Sequence, residues 1–124
     1  VVQIRWRDIS ILLPGDIETA AEYQLLDSER LSAAPIDLLL APHHGSKTSS
    51  SHAFVRHLMP KHVVFSAGYQ HQFGHPHDVV TMRYSNIGSI LWNTAQQGAV
   101  SFQWSPSGQL KISAARLDAK RWWR

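Results

Sequence analysis

The chain has 124 residues, 44% hydrophobic and 17% charged, with a formal net charge of +3, which is the makeup of one globular domain and not of a disordered segment. It contains no cysteine, so disulfide staples and thiolate metal sites are excluded and histidine and carboxylate are left as the strong metal ligands. No apolar run approaches the ~20 residues of a membrane span, the start lacks the pattern of a secretion signal, and the positive charge mildly favours an acidic partner.

In chain order, residues 1–6 alternate apolar with other side chains, Arg7-Asp8 supplies a turn and residues 9–13 resume the alternation, which predicts a β-hairpin. Pro14-Gly15 stops the second strand and Asp16 opens the next segment. Residues 18–31 carry Ala21, Leu25, Leu26 and Leu31 at roughly helical spacing and predict an amphipathic helix. After Pro35, the run 36–40 does not alternate, as befits a strand covered on both faces. Ser49, Ser50 and Ser51 suit the cap of a helix over 52–58, because serine hydroxyls satisfy free amides at a helix start. A second buried strand comes next over 63–66, then a long loop over 68–77 rich in glycine, aromatics and histidine. Residues 78–86 predict a short helix stopped by Gly88, and 89–92 a strand. Residues 99–104 pair with 109–114 across Ser105-Pro-Ser-Gly108 as a second hairpin. The order ββαβαβαβββ predicts a layered α/β sheet. The closing Lys120-Arg-Trp-Trp-Arg124 suits phosphates, bases or a membrane interface, and equally a frayed end.

Potential ligands gather at three strand ends, the rim where α/β folds place chemistry. Asp16 comes after a Pro-Gly turn: its carboxylate can bridge two cations, or simply serve as a turn residue or helix cap. His43 and His44 are adjacent. In extended backbone their imidazoles point to opposite sides, so one can bind metal while the other faces substrate, or both belong to a polar loop. Ser46, Lys47 and Thr48 offer hydroxyls and an ammonium group to a phosphate, or cap the next helix. His75 and His77, two apart around Pro76, would project to one side if extended, and His75 reads as a phosphate contact, a neighbour of a metal ligand or a surface residue. His52, His57 and His62 read as ordinary helix or strand-edge residues.

Leu12-Leu-Pro-Gly-Asp-Ile-Glu18, Ala41-Pro-His-His-Gly-Ser-Lys-Thr-Ser-Ser-Ser51, Ser66-Ala-Gly-Tyr69 and Phe73-Gly-His-Pro-His77 together resemble the C-terminal metallo-β-lactamase-like domain of the ComEC family of DNA-uptake competence proteins. The motifs agree in order and spacing from the first hairpin to about residue 100, and residues 99–124 add the terminal hairpin and basic tail. The resemblance implies a four-layer αββα sandwich holding two divalent metals, zinc or manganese, of which this chain carries the C-terminal half. By resemblance Asp16 matches the bridging carboxylate, His44 a late histidine ligand and His43 a residue near the substrate phosphate, with the two histidine roles open to exchange. His75 matches a signature residue, implied as phosphate contact or proton donor to the leaving oxygen, and Ser46 and Lys47 would help hold the phosphoryl oxygens. The family's main metal motif, a His-x-His-x-Asp-His-like cluster, lies upstream of the bridging aspartate. Only 15 residues precede Asp16 here and none is histidine, so the ligand set is incomplete and the chain alone is expected to be inactive.

For the parent protein the resemblance implies metal-dependent hydrolysis of DNA phosphodiesters, degrading one strand during uptake. It places the parent in the bacterial inner membrane with this domain outside the cytoplasm, and makes DNA, the upstream half of the domain and a membrane channel its partners. A sandwich cut between its halves is expected to expose apolar surface and to cover it with the missing half or, as a homodimer, with a second copy. Two other readings stand beside this one: a nucleic-acid-binding module without catalysis, and a related phosphodiesterase acting on small or cell-wall substrates.

Overall fold

A computed structural model describes residues 1–31, 35–69, 72 and 74–118, so His71, Phe73 and the basic tail at 120–124 lie outside the described residues. The alternating N-terminal segment folds as foreseen into an antiparallel hairpin, β1 (Val2–Trp6) and β2 (Ile9–Leu13), turned by Arg7 and Asp8. Helix α1 (Thr19–Asp27) leads to β3 (Leu38–Leu40), α2 (His52–Leu58) to β4 (His62–Phe65), and α3 (Asp78–Asn86) to β5 (Ile90–Asn93). Each helix is a crossover, so β2, β3, β4 and β5 run parallel in a five-stranded sheet ordered β1-β2-β3-β4-β5. A one-turn helix α4 (Thr94–Gln97) then leads to the antiparallel hairpin β6 (Val100–Trp104) and β7 (Leu110–Ala114), and a second one-turn helix, α5 (Ala115–Asp118), ends the described chain.

Strand alternation sorts side chains between the two faces of the sheet. On one face Leu12, Leu39, Val63 and Phe65 are buried against Phe54, Val55 and Leu58 of α2 and Val80 and Tyr84 of α3. Each such side chain contributes roughly 1.5–3 kcal/mol when fully buried, so this helix-covered layer is what fixes the strand ends in space. Over the other face lies the β6–β7 hairpin, with the Phe102 ring 5.5 Å from His62 and 5.8 Å from Trp92. The molecule is thus mixed α/β, with helices on one side of a mostly parallel sheet and a two-stranded sheet on the other. The turn of that hairpin reaches the β1–β2 turn, where Arg7 Nη1 donates to Pro106 O, yet Val2, Ile4, Trp6 and Leu13 remain 55, 45, 45 and 37% exposed. Among the described residues no helix is long and apolar enough to cross a membrane.

Several elements depart from the sequence reading: the one-turn helices α4 and α5 were not foreseen, β4 and β5 are each offset by one residue, and two earlier elements differ more. The first helix ends at Asp27 and not at Leu31, and its one buried residue is Glu22, while Ala21, Leu25 and Leu26 are only partly covered. The strand expected over 36–40 pairs only at Leu38–Leu40, and burial there is complete only for Leu39. Its neighbours Leu38 and Leu40 face the thinly covered side, so a run without alternation did not mean two covered faces.

Candidate functional site

The rim of the parallel strands carries the candidate residues. β3 ends at Leu40, Ala41 donates to Val64 O at 2.8 Å, and the chain turns at Pro42–Gly45 in one 3-10 turn. Within it His43 (φ 46°, ψ 42°), His44 (φ 57°, ψ 17°) and Gly45 (φ 84°) are all left-handed. For residues bearing a Cβ this costs about 1–2 kcal/mol each, so the surrounding structure must hold them. Hydrogen bonds from His43 N to Gly15 O (3.1 Å), Ser46 N to His43 O (2.9 Å) and His77 N to Gly45 O (2.9 Å) do so. A Cβ on Gly45 would sit 2.7 Å from both Phe65 Cδ1 and Pro76 Cβ, so glycine is the one residue that fits between the two histidine loops.

The left-handed turn corrects the expectation from extended backbone. Both imidazoles reach the same carboxylate-bearing loop, each facing a different acid. His44 Nε2 stands 3.5 Å from Asp16 Oδ1, and His43 Nδ1 stands 3.3 Å from Glu18 Oε1. The His43 ring centre is 6.4 Å from that of His44 and 6.3 Å from that of His75, so three histidines line one patch.

The tautomer of His44 is set by its other nitrogen. Nδ1 lies 2.8 Å from the Ser66 carbonyl, which can only accept, so Nδ1 carries a proton and Nε2 is the nitrogen turned toward Asp16. A lone pair facing a carboxylate oxygen at 3.5 Å is stable only with a proton or a cation between them. Thr94 holds the accepting carbonyl in place: its Oγ1 donates to Ala67 O and accepts from Ala67 N, both at 2.9 Å. A histidine whose remote nitrogen donates to a backbone carbonyl is the arrangement by which metal-ligating imidazoles are oriented. Asp16 and His44 therefore fit two positions of a divalent-cation site, with oxygen and nitrogen donors and side chains 68 and 49% exposed. Among the described residues no third histidine or acid completes a cluster that could hold a metal.

The remaining candidates have distinct settings. Lys47 is exposed beside the histidine turn. Ser46 is buried, its Oγ 3.1 Å from Thr48 Oγ1 and 3.4 Å from Thr48 N, so this hydroxyl shapes the turn. Ser51 is the cap of α2, accepting from Phe54 N at 3.2 Å, as the serine run suggested. His75 faces the histidine patch, whereas His77 Nδ1 accepts from Val79 N at 3.3 Å as the cap of α3, so the two do not act as a pair. His62 belongs to the aromatic contact between the sheets, taking a hydrogen bond from Trp92 Nε1 at 3.2 Å, and burial lowers its pKa from the usual value.

Sequence reading passed over two glutamates. Glu18 lies in a quoted motif but carries no chemistry-specific spacing; in the fold it accepts from Thr48 Oγ1 at 2.9 Å and faces His43. Glu22 is fully buried, its oxygens receiving Ser50 N at 2.5 Å and Ser51 N at 2.8 Å. Arg83 Nη1 donates to Ser50 O and Tyr84 OH to Ser50 Oγ, each at 2.8 Å, so the serine turn beyond the histidines is held from three sides. A glutamate amid leucine and alanine at helical spacing is the one signal the sequence held.

No known protein-family description and no solved structure matches the chain significantly. It is 33% identical over 116 residues to competence protein ComA of Neisseria gonorrhoeae, covering 93% of this chain and 16% of that protein. Recombination protein 2 of Haemophilus influenzae is 32% identical over 114 residues, 92% of this chain and 14% of its own length. ComE operon protein 3 of Bacillus subtilis is 29% identical over 96 residues, 77% of this chain and 12% of its own length. The chain spans between about one-eighth and one-sixth of the length of these relatives. Over that stretch, and at this low identity, its similarity is to these three bacterial proteins, one of them named for competence and one for recombination.

Proposed function

We propose that the chain is the C-terminal half of a metallo-β-lactamase-like αββα domain that hydrolyses DNA phosphodiesters with divalent metals, zinc or manganese, during uptake. The observation that supports this reading is the Asp16–His44 pair, in which the Ser66 carbonyl holds the ring so that Nε2 faces a carboxylate, an arrangement a proton or a cation would satisfy. Two protein ligands fall short of the three or four that catalytic zinc uses, so the rest are supplied by a segment upstream of residue 1. The same segment would cover the exposed Val2, Ile4, Trp6 and Leu13 and complete the sandwich, in place of a second copy of the chain. The parent is proposed to sit in the bacterial inner membrane beside a channel, with this domain outside the cytoplasm.

Bound metal would polarise a phosphoryl oxygen and make water a nucleophile near neutral pH. This chain's own residues would do the rest. Asp16 and His44 hold the cation against the strand rim. Glu18, itself fixed by Thr48, stands 3.3 Å from His43 Nδ1 without a hydrogen bond between them and would add negative charge beside that imidazole. Lys47 would offer charge to a phosphate, Ser46 would keep the turn that presents it, and His75, beside His43, would contact the phosphate or protonate the leaving oxygen.

The test is DNA binding and cleavage by the full-length protein with manganese or zinc and again with chelator. Cleavage that needs metal supports the proposal. Binding without cleavage that persists in chelator and falls steeply with salt would replace it with a non-catalytic nucleic-acid module. Cleavage of small phosphodiesters but not of DNA would move the substrate to the related small-molecule class.

A further inference from the structure

A cavity of about 510 Å³ opens beside the histidine patch, between the ends of β4 and β5 and the start of α3. Its walls include Phe65, His75, Asp78, Asn93, Gln96 and Gln97, and its size falls in the ordinary range of small-ligand pockets, about 300–1,000 Å³. His75 is shared: it also lines a smaller pocket with His44 and Ser66. Whatever fills the larger cavity therefore lies one side chain away from the candidate metal pair.

The polar groups of the cavity have defined directions. Asn93 Oδ1 accepts from Ala95 N at 2.9 Å, and Gln97 Oε1 accepts from Asn93 N at 2.7 Å. Backbone N–H groups demand oxygen at those positions, which fixes both amide orientations. Each NH2 end is left without an acceptor among the described residues. The Asp78 carboxylate likewise takes no hydrogen bond from another described residue, and Thr81 Oγ1 is occupied with the Asp78 backbone carbonyl at 2.9 Å. The cavity lining thus combines two amide donors and a carboxylate acceptor, with Phe65 beside them. A phosphate is disfavoured there by the Asp78 charge.

Resting on the DNA phosphodiesterase reading, we infer that this cavity receives the base of the nucleotide whose phosphate lies at Asp16 and His44, and that it prefers guanine or cytosine. The amide NH2 groups of Asn93 and Gln97 suit a ring carbonyl, and the Asp78 carboxylate suits an exocyclic amine. Guanine and cytosine carry both groups. Thymine has no amine and adenine has no carbonyl.

The experiment measures equilibrium binding of dGMP, dCMP, dAMP, dTMP and 2-deoxyribose 5-phosphate to the full-length protein with manganese. The inference gives dGMP and dCMP at least about tenfold tighter binding than the other three, tenfold being about 1.4 kcal/mol and within the range of one good base contact. Asp78→Asn removes the acceptor charge. Gln97→Glu keeps an oxygen for Asn93 N while replacing the donor, so it tests the cavity without undoing the turn. Each variant should drive the ratio of dGMP to dTMP affinity toward one. Equal binding of all five probes would overturn the base pocket while leaving the phosphodiesterase reading standing, since the sugar and phosphate would then carry the affinity. Failure of every probe to bind would overturn the base pocket, and metal-dependent DNA cleavage by the same protein decides separately whether the phosphodiesterase reading stands.

Discussion

Replacing His44 by glycine and, separately, by alanine isolates the backbone strain at the histidine turn. Both changes delete the imidazole and its 2.8 Å bond to Ser66 O, a shared loss of about 0.5–1.5 kcal/mol. They differ in the backbone. Alanine keeps the left-handed penalty imposed by φ 57°, about 1–2 kcal/mol, whereas glycine sheds it and gives back about 0.4–1 kcal/mol through a more mobile unfolded chain. His44→Gly should therefore be the more stable of the two by about 1 kcal/mol. At an exposed right-handed position the order reverses: Met82→Ala in α3 should exceed Met82→Gly by about 1 kcal/mol. Urea unfolding monitored by the fluorescence of the chain's tryptophans resolves this as a midpoint difference of roughly 0.3–1 M for ordinary slopes. If His44→Ala proves as stable as His44→Gly, the turn is not left-handed and the orientation derived for both imidazoles fails with it.

The other stability predictions rest on named contacts. Gly45→Ala should destabilise by about 3 kcal/mol in the same assay, from overpacking against Phe65 and Pro76 added to left-handed strain, whereas Gly88→Ala, with a similar φ of 86° and open space around it, should lose only about 1 kcal/mol. Equal losses would show that the close approach at Gly45 is absent. Glu22→Gln should cost about 2–3 kcal/mol, because an amide can accept from only one of Ser50 N and Ser51 N and turns its own donor toward the other; a loss below about 0.5 kcal/mol would contradict the bidentate brace. His62 gives the pH dependence. Burial lowers its folded pKa below the unfolded value of 6.5, so the unfolded chain takes up the proton first. Its contribution to stability is complete above about pH 6.5 and is lost as pH falls through the folded pKa. His62→Phe should flatten that part of a stability-versus-pH curve, and an unchanged slope would remove His62 as its source.

The order of the strands and of the first three helices was legible from local signals, among them alternation in both hairpins, serines before α2, and Pro-Gly and Gly88 as stops, whereas the one-turn helices α4 and α5 were missed. Helix α2 occupies the residues its serine cap indicated, with Ser51 accepting from Phe54 N, and α3 spans the expected 78–86, capped by His77, which the sequence reading had not named. Features set by distant partners could not be read. The left-handed conformation of His43 and His44 depends on Gly15 O and on Gly45 meeting Phe65 and Pro76, contacts between segments far apart in sequence. Glu22 looked like one polar residue on a helix because nothing local shows that two amides of a serine turn 28 and 29 residues later would bury it. The pairing of Glu18 with His43 escaped for the same reason. Asp16 and His44 were singled out from their strand-end positions and from a resemblance, and the fold sets them side by side. Exposed apolar surface was expected, and Val2, Ile4, Trp6 and Leu13 of the first hairpin are exposed; what covers them belongs to the proposal.

The measurement that bears most directly on the central claim is metal content together with DNA cleavage of the full-length protein, wild type against Asp16→Ala and His44→Ala. The account predicts that the wild type retains divalent metal and cleaves DNA, and that each variant loses metal and at least about a hundredfold in cleavage rate, the scale of a lost metal contribution of several kcal/mol. Asp16→Ala that keeps both its metal and its cleavage rate would contradict the account, because the pair at the strand rim would then be no part of the site.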